Sequence, residues 1–283
     1  MKLRSLKKFA ASYCIVALFC TVIAGFLPPK ISYAAEAERV VYASLPWLAS
    51  MASFIVGPTM KIQSVSVWNS SGELRVPRRP PQGSTIIALD PQDASRLGLV
   101  RGEAGLFLLY ENLPIETSSR GMLAFNPSVL PFLSQRMLKV LCELNPENYS
   151  FYQRRMAEFQ SRLESAVEVG RSLINDTPIL DLTGAVSPWL RAASSKAVRP
   201  PDELWRAWVG NTRTPELALA VKEAESRGWW ILMDAWTPAQ IKTRVSTAKL
   251  ISVPPPGTEY DFFTYLHNIY TDMDESFRRA SVR

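Results

Sequence analysis

Residues 126–174 read NPSVLPFLSQRMLKVLCELNPENYSFYQRRMAEFQSRLESAVEVGRSLI, and this stretch decides the architecture. Its first part is amphipathic, with Val129, Leu130, Leu133, Met137, Val140, Leu141 and Leu144 on one helical face between Pro127 and Leu144. The second part opens at Asn145-Pro146-Glu147, where Asn145 caps and Pro146 takes the first helical position. Tyr152, Met156, Phe159, Leu163, Ala166 and Leu173 then follow on a helical face until Thr177-Pro178 stops the pattern. A helix of about 28 residues spans roughly 42 Å. One that long in mid-chain reads as a spine between two lobes.

Both flanks of the spine carry the same pattern of short apolar strands and capped helices. On the N-terminal side Val40–Ala43 is a strand and Leu45-Pro46 begins a helix that ends at Gly57-Pro58. The run Ile62–Val67 alternates as a strand does. Residues 69–83 hold Pro77, Pro80 and Pro81 with Arg75, Arg78 and Arg79, which predicts a solvated loop or a partner-contact patch. Asp90-Pro91 opens a short helix and Leu106–Leu109 is a strand. On the C-terminal side, strands are expected at 179–182, 229–233 and 250–253. Helices are expected at 202–209, after Thr214-Pro215, after Thr237-Pro238 and over 260–280. The pattern predicts an α/β fold of two small parallel-sheet α/β lobes joined by one long rigid helix. The expected division is 35–144, 145–175 and 176–283, after a leader of residues 1–34.

That leader has Lys2, Arg4, Lys7 and Lys8, an apolar run from Phe9 to Leu27, and the small-residue break Ser32-Tyr33-Ala34. This is the form of a secretory signal peptide cleaved after Ala34, with an uncleaved anchor over residues 10–27 as the alternative. The expectation is an exported, periplasmic protein. The whole chain carries 32 Lys and Arg against 26 Asp and Glu, a balance of +6 that would ordinarily raise nucleic acid as a partner. Residues 1–34 contain five of those bases, adding Lys30 to the four above, and no acid. The mature chain is therefore nearly neutral, and a nucleic-acid partner is not expected.

Cys14 and Cys20 lie in the leader, so Cys142 is left as a single thiol in a helix face, suited to packing and unable to form an internal disulfide. One His, His267, and the absence of Gly-x-Ser-x-Gly, phosphate-loop, His-Glu-x-x-His and Gly-x-Gly-x-x-Gly patterns argue against an enzyme.

Ligands of parallel α/β sheets collect beyond the carboxyl ends of the strands. Those ends bring forward Trp47, Trp68, Glu111, Asp181, Thr183, Asp234 and Trp236 as candidate cleft residues. Acids between aromatic walls would suit an amine, a cationic organic solute or a sugar. The competing reading is that Asp234 and Trp236 only shape the turn before Thr237-Pro238.

Four stretches resemble the periplasmic solute-binding proteins of zinc and manganese ABC transporters. They are YASLPWLASMASFIVG at 42–57, DPQDASRLGLVRGEAGLFLLYENLPIE at 90–116, the spine region at 126–174, and Tyr260 to Phe277. The resemblance implies a helical-backbone metal-receptor fold, a zinc or manganese cargo held between the lobes, an ABC transporter permease as partner, and a monomer. It also implies three His ligands and one carboxylate. The matching positions are Met122, Thr183 and Val253, with the first His expected in the loop 69–83, which contains none. Such a set supplies almost no zinc donors, although Met122 would suit a soft ion such as Cu(I). Two expectations follow: a solute-binding protein with altered ligand chemistry, or a periplasmic interaction protein that keeps the fold with its cleft filled by Trp side chains or by the 69–83 loop.

Overall fold

The computed structural model of the chain describes residues 40–111, 126–256 and 261–281. The leader, its cleavage after Ala34 and Met122 lie outside the described residues. In the N-terminal half the described elements are β1 (Val40–Ala43), α1 (Pro46–Val56), β2 (Lys61–Ser64), β3 (Val67–Trp68), β4 (Leu74–Arg75), β5 (Thr85–Ala88), α2 (Pro91–Arg96), β6 (Leu106–Leu108) and α3 (Leu130–Leu144). The spine is α4 (Tyr149–Ile174). After it come β7 (Ile179–Asp181), α5 (Ser187–Ala193), β8 (Ala197–Val198), α6 (Asp202–Val209), α7 (Thr214–Ser226), β9 (Trp230–Asp234), α8 (Ala239–Lys242), β10 (Leu250–Val253) and α9 (Phe262–Ser281).

Two four-stranded sheets result, in the orders β2-β1-β5-β6 and β10-β9-β7-β8, and every pair in both is parallel. The apolar strands explain this. Ile179, Leu180 and Asp181 are all buried, as a strand covered on both faces requires. The expected α/β class and the two-sheet arrangement are therefore present.

Local chemistry shifts several boundaries. The Asn126 carboxamide accepts the Ser128 amide at 3.0 Å and forms a turn, so α3 starts at Leu130 rather than Pro127. Pro146 opens a 3-10 turn, and the spine itself begins at Tyr149. The single strand expected over 62–67 breaks in two. Val65 N still donates to Ala43 O, but the hydroxyl of Ser66 reaches Ser44 O, and the chain turns away into β3. The loop 69–83 contributes β4, which pairs antiparallel with β3. The short elements α5 and β8 carry too few residues to show a period.

The spine is polar on most of its surface and is held by a few large residues. Tyr152, Phe159 and Leu163 are buried, each contributing roughly 1.5–3 kcal/mol. That burial decides its place more than helix propensity does. The Tyr152 hydroxyl meets Thr59 Oγ1 at 2.7 Å. Helix α9 packs along the spine where Gly170 leaves room for Tyr270; a Cβ there would lie 2.5 Å from the ring. Burial pushes the Tyr270 phenol above its ordinary value, and its hydroxyl donates to Trp189 O at 3.2 Å.

Candidate functional site

Each sheet has a switch point where strand order reverses, between β1 and β5 in one and between β7 and β9 in the other. A buried aspartate joins the strands at each. In the N-terminal lobe Asp93 Oδ2 accepts Leu89 N at 3.0 Å and the Ser44 hydroxyl, while Oδ1 pairs with Arg96. Asp90 caps α2 by accepting Asp93 N at 2.8 Å.

In the C-terminal lobe Asp234 is fully buried and takes four main-chain amides. Gly184 N (2.8 Å) and Trp236 N (3.0 Å) donate to Oδ1, and Ala185 N (2.7 Å) and Val186 N (3.1 Å) donate to Oδ2. The carboxylate thus satisfies the orphan amides ahead of α5. Asp181, also fully buried, accepts the amide and hydroxyl of Thr183 on Oδ1, at 2.9 and 2.6 Å. Arg199 lies 3.7 Å from its Oδ2, donates to Thr183 O at 2.7 Å, and stacks over Trp205 at 4.4 Å. Val253 is buried, and its carbonyl accepts Ala235 N. Tyr265 donates to Pro254 O at 2.8 Å; burial first, then the Asp234 charge, pushes its phenol far up.

The structure brings Asp181, Thr183, Asp234 and Trp236 together; both oxygens of Asp234 are engaged by main-chain amides, whereas Asp181 Oδ2 accepts no hydrogen bond among the described residues. Glu111 stands apart, exposed and paired with Arg101 at 3.1 Å. Trp47 is buried in the core, and its indole N–H meets no acceptor among the described residues. His267 is exposed on α9. Cys142 is half-buried, and burial pushes its thiol up, away from reactivity. Among the described residues, no three His, Cys, Asp or Glu side chains converge as a metal site.

A contact across the lobes joins the two tryptophans. Trp236 meets Trp68 edge-on at 5.2 Å between ring centroids, and its Nε1 donates to Gly72 O at 2.7 Å. Gly72 has φ +78°, and a Cβ there would lie 2.7 Å from Nε1. Only glycine fits both conditions. The Asn69 carboxamide holds this turn by accepting Ser71 N and Glu73 N.

Beside Trp68 opens a cavity of about 800 Å³ between α1, the spine, Ser64–Trp68 and the start of α9. Phe54, Phe159 and Phe263 line it in mutual edge contacts of 5.1–5.5 Å. Arg155 and Arg162 reach it from the spine and cover Phe54 at 4.1 and 5.1 Å. Glu158 accepts from both guanidiniums. Asp261 lies at the rim and caps α9, accepting Phe263 N, Thr264 N and the Thr264 hydroxyl. Burial works to raise its pKa, but those three bonds and Arg162 hold it below the ordinary value. The arginines are the functional candidates that a survey of strand ends misses. Their signal in the sequence is the Arg155–Glu158–Arg162 spacing of three and four along one helical face.

These features define a two-lobed, spine-joined α/β scaffold. Neither a protein-family model nor a curated protein matches the chain by sequence. Solved structures match its fold. ZnuA aligns with a TM-score of 0.60 at 14% identity, covering 83% of this chain and 98% of its own. A Zn(II)-bound AdcAII variant of Streptococcus pneumoniae gives 0.55 at 10% identity, covering 84% and 98%. A periplasmic metal binding protein from Candidatus Liberibacter asiaticus gives 0.54 at 11%, covering 84% and 99%. The chain has the fold of these metal-binding proteins over nearly their whole length.

Proposed function

We propose that this protein is an exported solute-binding receptor of an ABC-type importer that delivers a solute to a permease. The observation that carries this is the two-sheet, spine-joined fold shared with ZnuA and its neighbours, with a solute-sized cavity between N-terminal lobe, spine and C-terminal helix. In this reading residues 1–34 are a cleaved leader, 35–144 and 176–283 are the lobes, and 145–175 is the connector. The cargo is not a zinc or manganese ion held by three imidazoles. Thr183 and Val253 offer no such donors, and the four amide bonds on Asp234 leave its carboxylate engaged.

The test is native mass spectrometry with elemental analysis of protein purified from its own periplasm. A copurifying organic mass at one per chain is the expected result. Stoichiometric zinc or manganese would overturn the cargo assignment. A protein that carries nothing would overturn the receptor role.

A second reading has its own support. The Trp236–Gly72 bond and the Trp68–Trp236 contact join the lobes through protein groups alone, as in an interaction protein that keeps the fold without cargo. Adjacent genes for a permease and an ATPase would favour the receptor, and their absence the interaction protein.

A further inference from the structure

We infer that the 800 Å³ cavity beside Trp68 takes a ring-bearing organic anion, a carboxylate or sulfonate with an aromatic or comparable apolar body; this rests on the receptor reading. Several polar groups around the cavity remain uncommitted. Among the described residues, Arg162 donates only through Nη2, to Glu158, which leaves Nε and Nη1 available. Arg155 spends Nε on Phe54 O and Nη1 on Glu158, which leaves Nη2. The Ser50 hydroxyl accepts Phe262 N and retains its proton to donate. Among the described residues the one carboxylate that lines the cavity, Asp261, already accepts three bonds from the first turn of α9, where its charge also complements the helix terminus. Guanidinium nitrogens of Arg155 and Arg162 and the Ser50 hydroxyl are therefore open to a ligand rich in acceptors.

Charge and shape agree with that count. Glu158 accepts from both guanidiniums without lining the cavity, so it holds them in place rather than competing inside. Guanidinium forks recognise carboxylate and sulfonate oxygens with directional, charge-assisted bonds. Phe159, Phe263, Val67 and Trp68 supply apolar lining, with the phenyl rings already fixed edge to edge. The volume is in the range of about 300–1,000 Å³ typical of small-molecule sites. Asp181 and Asp234, the acids that would suit an amine, are fully buried in the C-terminal lobe and do not line this cavity. The preference of the site is for negative charge.

The test measures binding of benzoate, 3-phenylpropionate and indole-3-acetate by calorimetry and thermal shift, each beside its neutral amide and its matching amine. The acids should bind, and the amides should bind roughly 10- to 100-fold more weakly, the loss of a charge-assisted hydrogen bond. Arg162→Gln should cost the acids a similar factor while leaving the ligand-free melting curve close to the parent's. Arg162→Lys should retain part of the affinity, since it keeps the charge and loses the fork. Amides binding as well as acids, amines binding better, an Arg162→Gln variant with full affinity, or no binding by any acid would each overturn the inference. The receptor reading is decided separately, because native mass spectrometry reports a copurifying solute of any chemistry.

Discussion

Asp93 and Asp234 occupy corresponding places in the two lobes, each joining the strands on either side of a switch point. Their partners differ. Asp93 takes one amide, one hydroxyl and a half-exposed arginine. Asp234 takes four amides, the Thr237 hydroxyl and no charged partner. The C-terminal mouth is thereby stitched to its own backbone, and Gly184 leaves no space there: a Cβ would lie 2.4 Å from Trp236 O. The N-terminal lobe instead turns its β2–β3 segment outward, and Ser64–Trp68 becomes a wall of the open cavity. One lobe closes its strand ends with its own backbone, and the other, together with the spine and α9, walls an open cavity.

The largest expected effect tests that contrast. Asp234→Ala strands several buried amides, each costing about 1–3 kcal/mol unpaired, so a loss above roughly 3 kcal/mol in urea unfolding is predicted. Asp93→Ala strands one amide and should cost about half as much. Equal losses would show that the two aspartates do the same structural work.

Trp236→Ala comes next. It removes an edge contact and an indole hydrogen bond, together about 1–2 kcal/mol, and should loosen the lobes against each other. Hydrogen exchange at residues 67–75 should accelerate, with the rest of the N-terminal sheet unchanged. Unaltered exchange there would remove the interlobe latch from the account.

The smallest effect is at the cavity rim. Asp261→Ala removes the α9 cap, worth about 1 kcal/mol. Because the native carboxyl sits below its ordinary value, the stabilisation is present above the unfolded pKa and is lost as pH falls through the native one. The difference between parent and variant in melting curves should therefore be full at neutral pH and shrink below about pH 4. A gap that stays constant into acid would mean that the charge of Asp261 is not what holds the turn.

Much of the fold is legible along the chain. The spine announces itself through Tyr152, Phe159 and Leu163, and the strand at 250–253 falls where its apolar run lies. The breaks were harder to read. Nothing local in Ile62–Val67 says that Ser66 will bond Ser44 and end the strand. Trp229 and Trp230 look like core in a run of apolar residues, yet both are half-buried, with Trp230 against Phe277 of α9. Acid and aromatic residues at strand ends could be picked out, but not whom they would face.

The sequence by itself determined the two α/β halves, the helix between them and the near-neutral charge of residues 35–283, because periodicity, caps and charge are local or additive properties. Tertiary structure alone decided what the polar groups do. Asp234 meets amides about 50 residues away, and Trp236 meets Gly72 across 164. Whether a carboxylate is available to a ligand or committed to a backbone depends on partners brought in from such distances. The same packing that closed the acids of one lobe left the guanidiniums of Arg155 and Arg162 facing open space.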